Sequence, residues 1–187
     1  MREHLKKDEV MKMPDERRDF ELDILAPAMQ ERVKKKDRYI DTPLGMQARL
    51  LGSVAREVIE RFGDEGREAI IAGVKAYGEE RGRRMAARAA AEGRENSFAT
   101  WLVVSDNDTG YLQMSPEFGE GEMRVEISYC PFAAALEDWG LEEYGKYFCR
   151  HVDAAIMRGY NPERYETVCE RNLSEGAETC TIIYKFK

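Results

Sequence analysis

Cys130, Cys149, Asp153 and Cys180 are the residues whose types and spacing could do chemistry in this chain. Cys130 is followed by Pro131. Proline suits the first position of a helix, so this pair predicts Cys130 as an N-cap at a strand-to-helix junction. Free backbone N–H groups and the positive end of the helix dipole favour an anion there. A thiol so placed is expected to have a lowered pKa, which makes it a better nucleophile or metal ligand. Cys149 and Asp153 lie four residues apart in a helical pattern and therefore share a face, while His151 between them points away. Cys180 falls on the apolar face of a C-terminal strand with Ile182, Tyr184 and Phe186. Cys169, in the strand before it, has no distinguishing context.

Free cysteine is among the most buried residue types and commonly does no more than pack. Asp153 shifts that balance, since a carboxylate on an inward helix face is costly unless it is paired or functional. Histidine is scarce: the chain holds only His4 and His151, so a mechanism needing two well-placed histidines is excluded. Arg81, Arg84 and Arg88 recur at helical spacing. An arginine of this face could anchor a substrate carboxylate bidentately, and Arg84 is taken as the candidate; a solvated helix face explains the same spacing. Asn96, Trp101 and Tyr129 are candidate lining residues for a pocket near the sheet, although aromatics in such places are more often core.

The elements that must position these residues read as follows. Thr42 and Pro43 open a helix whose apolar residues recur to Phe62, Gly63 closes it, and a second helix runs from Asp64 to about Glu92. The short turn between them predicts antiparallel packing. Phe98–Val104 is rich in β-formers and Asn107–Gly110 reads as a turn, so strands are expected at 98–104 and 111–115. Alternation from Met123 to Tyr129 predicts a half-buried antiparallel strand. Helical pattern returns at 131–160 with a break at Gly140, and a hairpin follows at 165–187. The fold class is therefore α+β: an antiparallel sheet of four or five strands covered by helices, with a helical N-terminal half. Residues 1–40 form an N-terminal helical arm with an apolar stripe of Phe20, Ile24, Leu25, Met29 and Val33, which either packs over the domain or serves a homodimer contact; residues 41–187 form a single domain.

At 187 residues, with 43% hydrophobic and 35% charged residues, the chain can bury a sizeable core. Its net charge of −7 lacks the basic footprint of a nucleic-acid binder. No apolar run reaches the roughly 20 residues that span a bilayer, and the first residues carry no apolar stretch of a signal peptide. A cytoplasmic location with no membrane partner is expected, and there four cysteines are not a disulfide framework.

The run Cys130-Pro131-Phe132, Cys149 with Asp153, Gly159-Tyr160-Asn161-Pro162, and Leu173 with Gly176 and Cys180 resembles the C-terminal signature of the L-2-amino-thiazoline-4-carboxylic acid hydrolase family. The resemblance implies a hydrolase that acts on a carbon–nitrogen bond of a cyclic, amidine-like ring in a small carboxylated substrate. It implies Cys130 as nucleophile, Asp153 as general acid or base, backbone N–H groups after Pro131 as an oxyanion site, and Cys149 and Cys180 as pocket lining. No cofactor is needed for that chemistry. A zinc site built from Cys130, Cys149, Asp153 and Cys180 is the second reading, although these positions lack the spacing of common zinc sites. The alternative class is a non-catalytic module that binds a small hydrophobic ligand.

Overall fold

The computed structural model describes residues 27–31 and 41–187. Two compact units divide the chain at Asp41. In the first, residues 27–31 are helical and exposed; the remainder of the expected arm, including Phe20, Ile24, Leu25 and Val33, lies outside the described residues. The second unit, Thr42–Lys187, is α+β and carries every candidate residue.

Helix α1 spans Pro43–Ala91. The Thr42 hydroxyl accepts from the Gly45 N–H at 3.0 Å, which satisfies one of the free donors of its first turn. At Gly63 the backbone turns to φ 58°, ψ −129°, a conformation that a residue without Cβ adopts at little cost. The helix folds back there into two arms, 43–62 and 64–91, as the short turn predicts.

Residues 98–104, expected as a strand, are instead helix α2 (Phe98–Val104). Ser97 accounts for this: its hydroxyl accepts from the Thr100 N–H at 3.2 Å, and Thr100 and Val104, four apart, are buried on one side. The aromatic residues that suggested a strand instead stack, Phe98 on Trp101 at 5.1 Å and Trp101 on Tyr184 at 5.2 Å. Tertiary packing has overridden local propensity.

Strands β1 (Gln113–Gly119) and β2 (Glu122–Tyr129) form a tight hairpin. The 131–160 stretch divides into α3 (Pro131–Asp138), α4 (Glu142–Cys149) and α5 (Val152–Tyr160), with a second break at Arg150 and His151 besides the one at Gly140. Strands β3 (Tyr165–Arg171) and β4 (Cys180–Phe186) complete a fully antiparallel sheet of order β1-β2-β4-β3. On its helix-covered face Ile127 sits opposite Cys180, Val125 opposite Ile182, and Met123 opposite Tyr184.

The second arm of α1 crosses α5 at backbone contact. A methyl group on Gly82 would lie 2.0 Å from the Ile156 carbonyl oxygen, one on Gly78 2.6 Å from Ala155 Cβ, and one on Gly159 2.0 Å from the Glu79 carbonyl oxygen. Only glycine permits this approach, and it brings Arg81 and Asp153 to the same cavity. One hydrophobic cluster joins this arm and α5 to the sheet, and a second joins the first arm to α3 and α4. Cys130 and Phe148 pack against both. Among the described residues no helix is long and apolar enough to cross a membrane.

Candidate functional site

The strand-to-helix junction forms as its sequence predicts: Cys130 follows β2 and occupies the N-cap position of α3, with Pro131 at N1. Cys149 ends α4 and Asp153 lies in the first turn of α5. The two stay close in space although the helix breaks between them. Together with Cys180 of β4 they line one cavity of about 620 Å³, between the sheet and the helices that cover it. Cys169 lines it too; its alternation with Thr167 on β3, opposite Ile182 and Tyr184, was the available signal. All four cysteines are free thiols.

The electrostatics differ from the expectation at Cys130. Its thiol is raised above the ordinary value by burial, and the nearby backbone N–H groups of Ala133 and Phe132 only partly offset this. The N-cap side chain makes no cap hydrogen bond. Desolvation therefore outweighs the helix terminus, and the expected lowering of this pKa is not found. Burial also raises Cys149 well above its usual range, against a contact with the Ser174 hydroxyl at 3.6 Å. It raises Cys180, whose sulfur accepts from the Leu173 N–H at 3.2 Å, and pushes Cys169 up to about 11.

Asp153 is the other perturbed group. Burial raises its carboxyl to about 6, opposed by the Arg81 charge and its own backbone N–H. Among the described residues no other side chain hydrogen-bonds it. By area the residue is only half-buried, because it borders the cavity; that remaining surface is internal to the fold, so desolvation still dominates its titration. A carboxylate left without a partner in such a place can accept a proton or hold a cationic ligand.

Of the remaining candidates, Trp101 lines the cavity, and Arg84, Asn96 and Tyr129 do not. Arg84 is 75% exposed and pairs with Glu80 at 2.8 Å. The arginine that does line it is Arg81, with an 18% exposed side chain. Arg81 grips Asp106 by two bonds, Nε to Oδ2 at 3.2 Å and Nη2 to Oδ1 at 2.5 Å. Its position between Gly78 and Gly82, on the arm that meets α5, was the missed signal. Tyr129 shares the parity of Met123, Val125 and Ile127 yet is exposed, because the buried alternation stops at Ile127 and Tyr129 is the last residue of β2. The Asn96 carbonyl accepts from Asn161 Nδ2 at 2.9 Å, tying the loop before α2 to the end of α5. His151 precedes α5, and burial with neighbouring positive charges lowers its pKa.

Among the described residues no three His, Cys, Asp or Glu side chains converge closely enough to hold a metal ion. The geometry thus gives the zinc reading no support, although the cysteines share a cavity. A shallower groove of about 400 Å³ between the arms of α1 is lined mostly by hydrocarbon side chains, with Gln47 and Tyr77 as its polar members, and carries none of these thiols or acids.

A family model described as L-2-amino-thiazoline-4-carboxylic acid hydrolase matches residues 45–184, a range that includes all the cavity-lining residues named above. No curated protein matches the chain. A crystal structure of a trafficking protein particle complex subunit 3 from Naegleria fowleri, covalently bound to palmitic acid, superposes with a TM-score of 0.51 at 14% identity, over 77% of this chain and 95% of that one. At that identity the likeness is one of fold.

Proposed function

Because the chain belongs to the L-2-amino-thiazoline-4-carboxylic acid hydrolase family, we propose that it is a hydrolase that opens the C=N-containing ring of a cyclic, amidine-like substrate in the cavity beneath the sheet. The observation that carries this reading is Asp153: an unpartnered carboxyl in that cavity, with a pKa of about 6, ionised in most molecules at neutral pH and close to the ideal for a general base. Such a carboxylate suits the cationic N–H edge of an amidinium.

The reaction adds water across the ring carbon that bears both nitrogen and sulfur. Asp153 takes a proton from the water as the oxygen–carbon bond forms, and the C=N electron pair moves onto the ring nitrogen, which keeps the proton of the amidinium. When the tetrahedral intermediate collapses to a C=O group, the ring carbon–sulfur bond breaks, Asp153 returns its proton to the departing sulfur, the hydroxyl proton is released to solvent, and a carbamoyl product with a free thiol results. The alternative nucleophile is the Cys130 sulfur. Burial raises its pKa above the ordinary thiol value, so the thiol form dominates at neutral pH, and this route also needs Asp153 to take the proton first. Arg81 supports binding of a substrate carboxylate in exchange for Asp106.

The test is turnover of a cyclic amidine by the intact protein. Asp153→Asn should remove it. Cys130→Ser separates the routes: near-complete loss supports attack by sulfur, and retention within about tenfold supports attack by water. Turnover undiminished by Asp153→Asn would overturn the reading.

A second reading, a non-catalytic binding module, is favoured by the hydrocarbon character of most of the cavity and by thiols that burial keeps protonated. The trafficking subunit of similar fold holds palmitic acid covalently, and an acyl chain on a cavity cysteine is the form that this reading takes. Intact mass spectrometry of the purified protein checks it: an acyl adduct removed by hydroxylamine would favour this second reading.

A further inference from the structure

The cavity is far larger than the ring it would have to hold. A ring acid of about nine non-hydrogen atoms, even at the ~30 Å³ that each water takes in the liquid, fills about 270 Å³. The cavity offers about 620 Å³. Polar lining comes from Arg81, Asp153 and the 105–109 loop, whereas the sheet side of the surplus is apolar. Its floor consists of the three cross-strand rows Ile127–Cys180, Val125–Ile182 and Met123–Tyr184, and β1 extends each row by one residue: Met114, Pro116 and Phe118.

The floor also has direction. Cys130 lies just beyond one end of β2 and Met123 near the other, so the seven residue steps between them span about 23 Å at ~3.3 Å each. The thiols of Cys130 and Cys180 mark one end. At the other, β1 is an exposed edge strand, and Phe118 is 77% exposed while still lining the cavity. Met114, in the row of Ile127 and Cys180 at the thiol end of the same edge strand, is exposed and lines the cavity too, as do Leu102 and Tyr111. Large apolar side chains are rarely left grouped along one open edge of a cavity without use.

We propose that the substrate is amphiphilic: a cyclic amidine-like head at Asp153, joined to an apolar chain that lies along the β1–β2–β4 floor and leaves past Phe118. This rests on the hydrolase reading for its head and on the sheet alone for its tail. Burying each methylene of such a chain on this floor strengthens binding about threefold to fourfold.

The probes are straight-chain alkylamidinium ions from acetamidinium to decanamidinium, titrated calorimetrically into the intact protein at pH 8. The dissociation constant should fall about threefold to fourfold per methylene until the floor is filled. Phe118→Asp, a change at an exposed position, should flatten the long-chain part of that series. Asp153→Asn should weaken every member by a similar factor and leave the dependence on length. A series flat in chain length, with turnover of the unsubstituted ring, overturns the chain assignment and keeps the hydrolase reading. A steep series unaffected by Asp153→Asn, with no turnover of any cyclic amidine, overturns the hydrolase reading and keeps the chain assignment.

Discussion

At the scale of single residues, burial sets the chemistry of this cavity more than helix termini do. Asp153 shows the consequence for stability. Its folded pKa of about 6 lies above the 3.8 of an exposed carboxyl. Below about pH 4 the group is protonated in both states and costs nothing. Between about 4 and 6 the unfolded chain releases this proton while the folded one retains it, so stability falls as pH rises, and it stays lower above 6. Asp153→Asn, which cannot ionise, should therefore melt higher than the parent at pH 8, by up to about 3 kcal/mol, while kcat/KM drops about 10²- to 10⁴-fold. In the parent enzyme kcat/KM should rise with pH through about 6 and then level, as expected for a base that must be ionised. A pH profile that lacks this limb would remove Asp153 as the base. The thiols give a separate check. All four are raised by burial, so iodoacetamide should label them slowly at neutral pH and faster only in alkaline solution; one fast thiol at neutral pH would contradict the burial account. Cys130, Cys149, Asp153 and Cys180 were legible in the sequence as one group because each lies at an identifiable junction or face. The direction of the Cys130 shift was not, because an N-cap is a local feature and the enclosure of its sulfur is made by α3, α4 and the sheet together.

At the scale of elements, what places Arg81 and Asp153 in the same cavity is the crossing of α1 and α5. Gly82→Ala puts a methyl 2.0 Å from the Ile156 carbonyl oxygen, a backbone atom that cannot swing aside. The variant should lose about 1–3 kcal/mol or more, seen as a lower midpoint in urea, and should lose activity too as α5 is pushed from the cavity. Gly73 on the same arm is the control: nothing lies within 4 Å of a methyl there, so Gly73→Ala should stabilise by about 0.5–1 kcal/mol through helix propensity alone. Equal effects at both positions would mean that the crossing is not held by close approach. Helix ends were well marked, by Thr42-Pro43, Gly63 and Cys130-Pro131, since caps and left-handed turns demand particular residue types. The 98–104 segment misled because Phe98, Trp101 and Val104 favour a strand locally, whereas the Ser97 cap and the stack on Tyr184 reward a helix. Arg84 misled for a related reason: helical spacing shows which arginines share a face, and only the partner helix decides which of them is covered.

At the scale of the molecule, every described residue that lines the cavity lies within one unit. Both hydrophobic clusters, all four strands and every thiol and acid of the site belong to Thr42–Lys187, and the family match begins at residue 45 and ends at 184. A unit of this size buries enough surface to be stable by itself. Its first helix also carries its own cap in Thr42, so cutting before that residue leaves the terminus satisfied. A chain beginning at Asp41 should consequently fold, melt in a single transition within a few degrees of the parent, and bind decanamidinium with an affinity within about threefold of it. Differential scanning calorimetry and the amidinium titration measure both. An unfolded or aggregated fragment would show that the first forty residues complete the core; a folded fragment with lost affinity would assign them to the site. Neither outcome is expected, since among the described residues the cavity's walls, floor and charged groups come from residues that follow them.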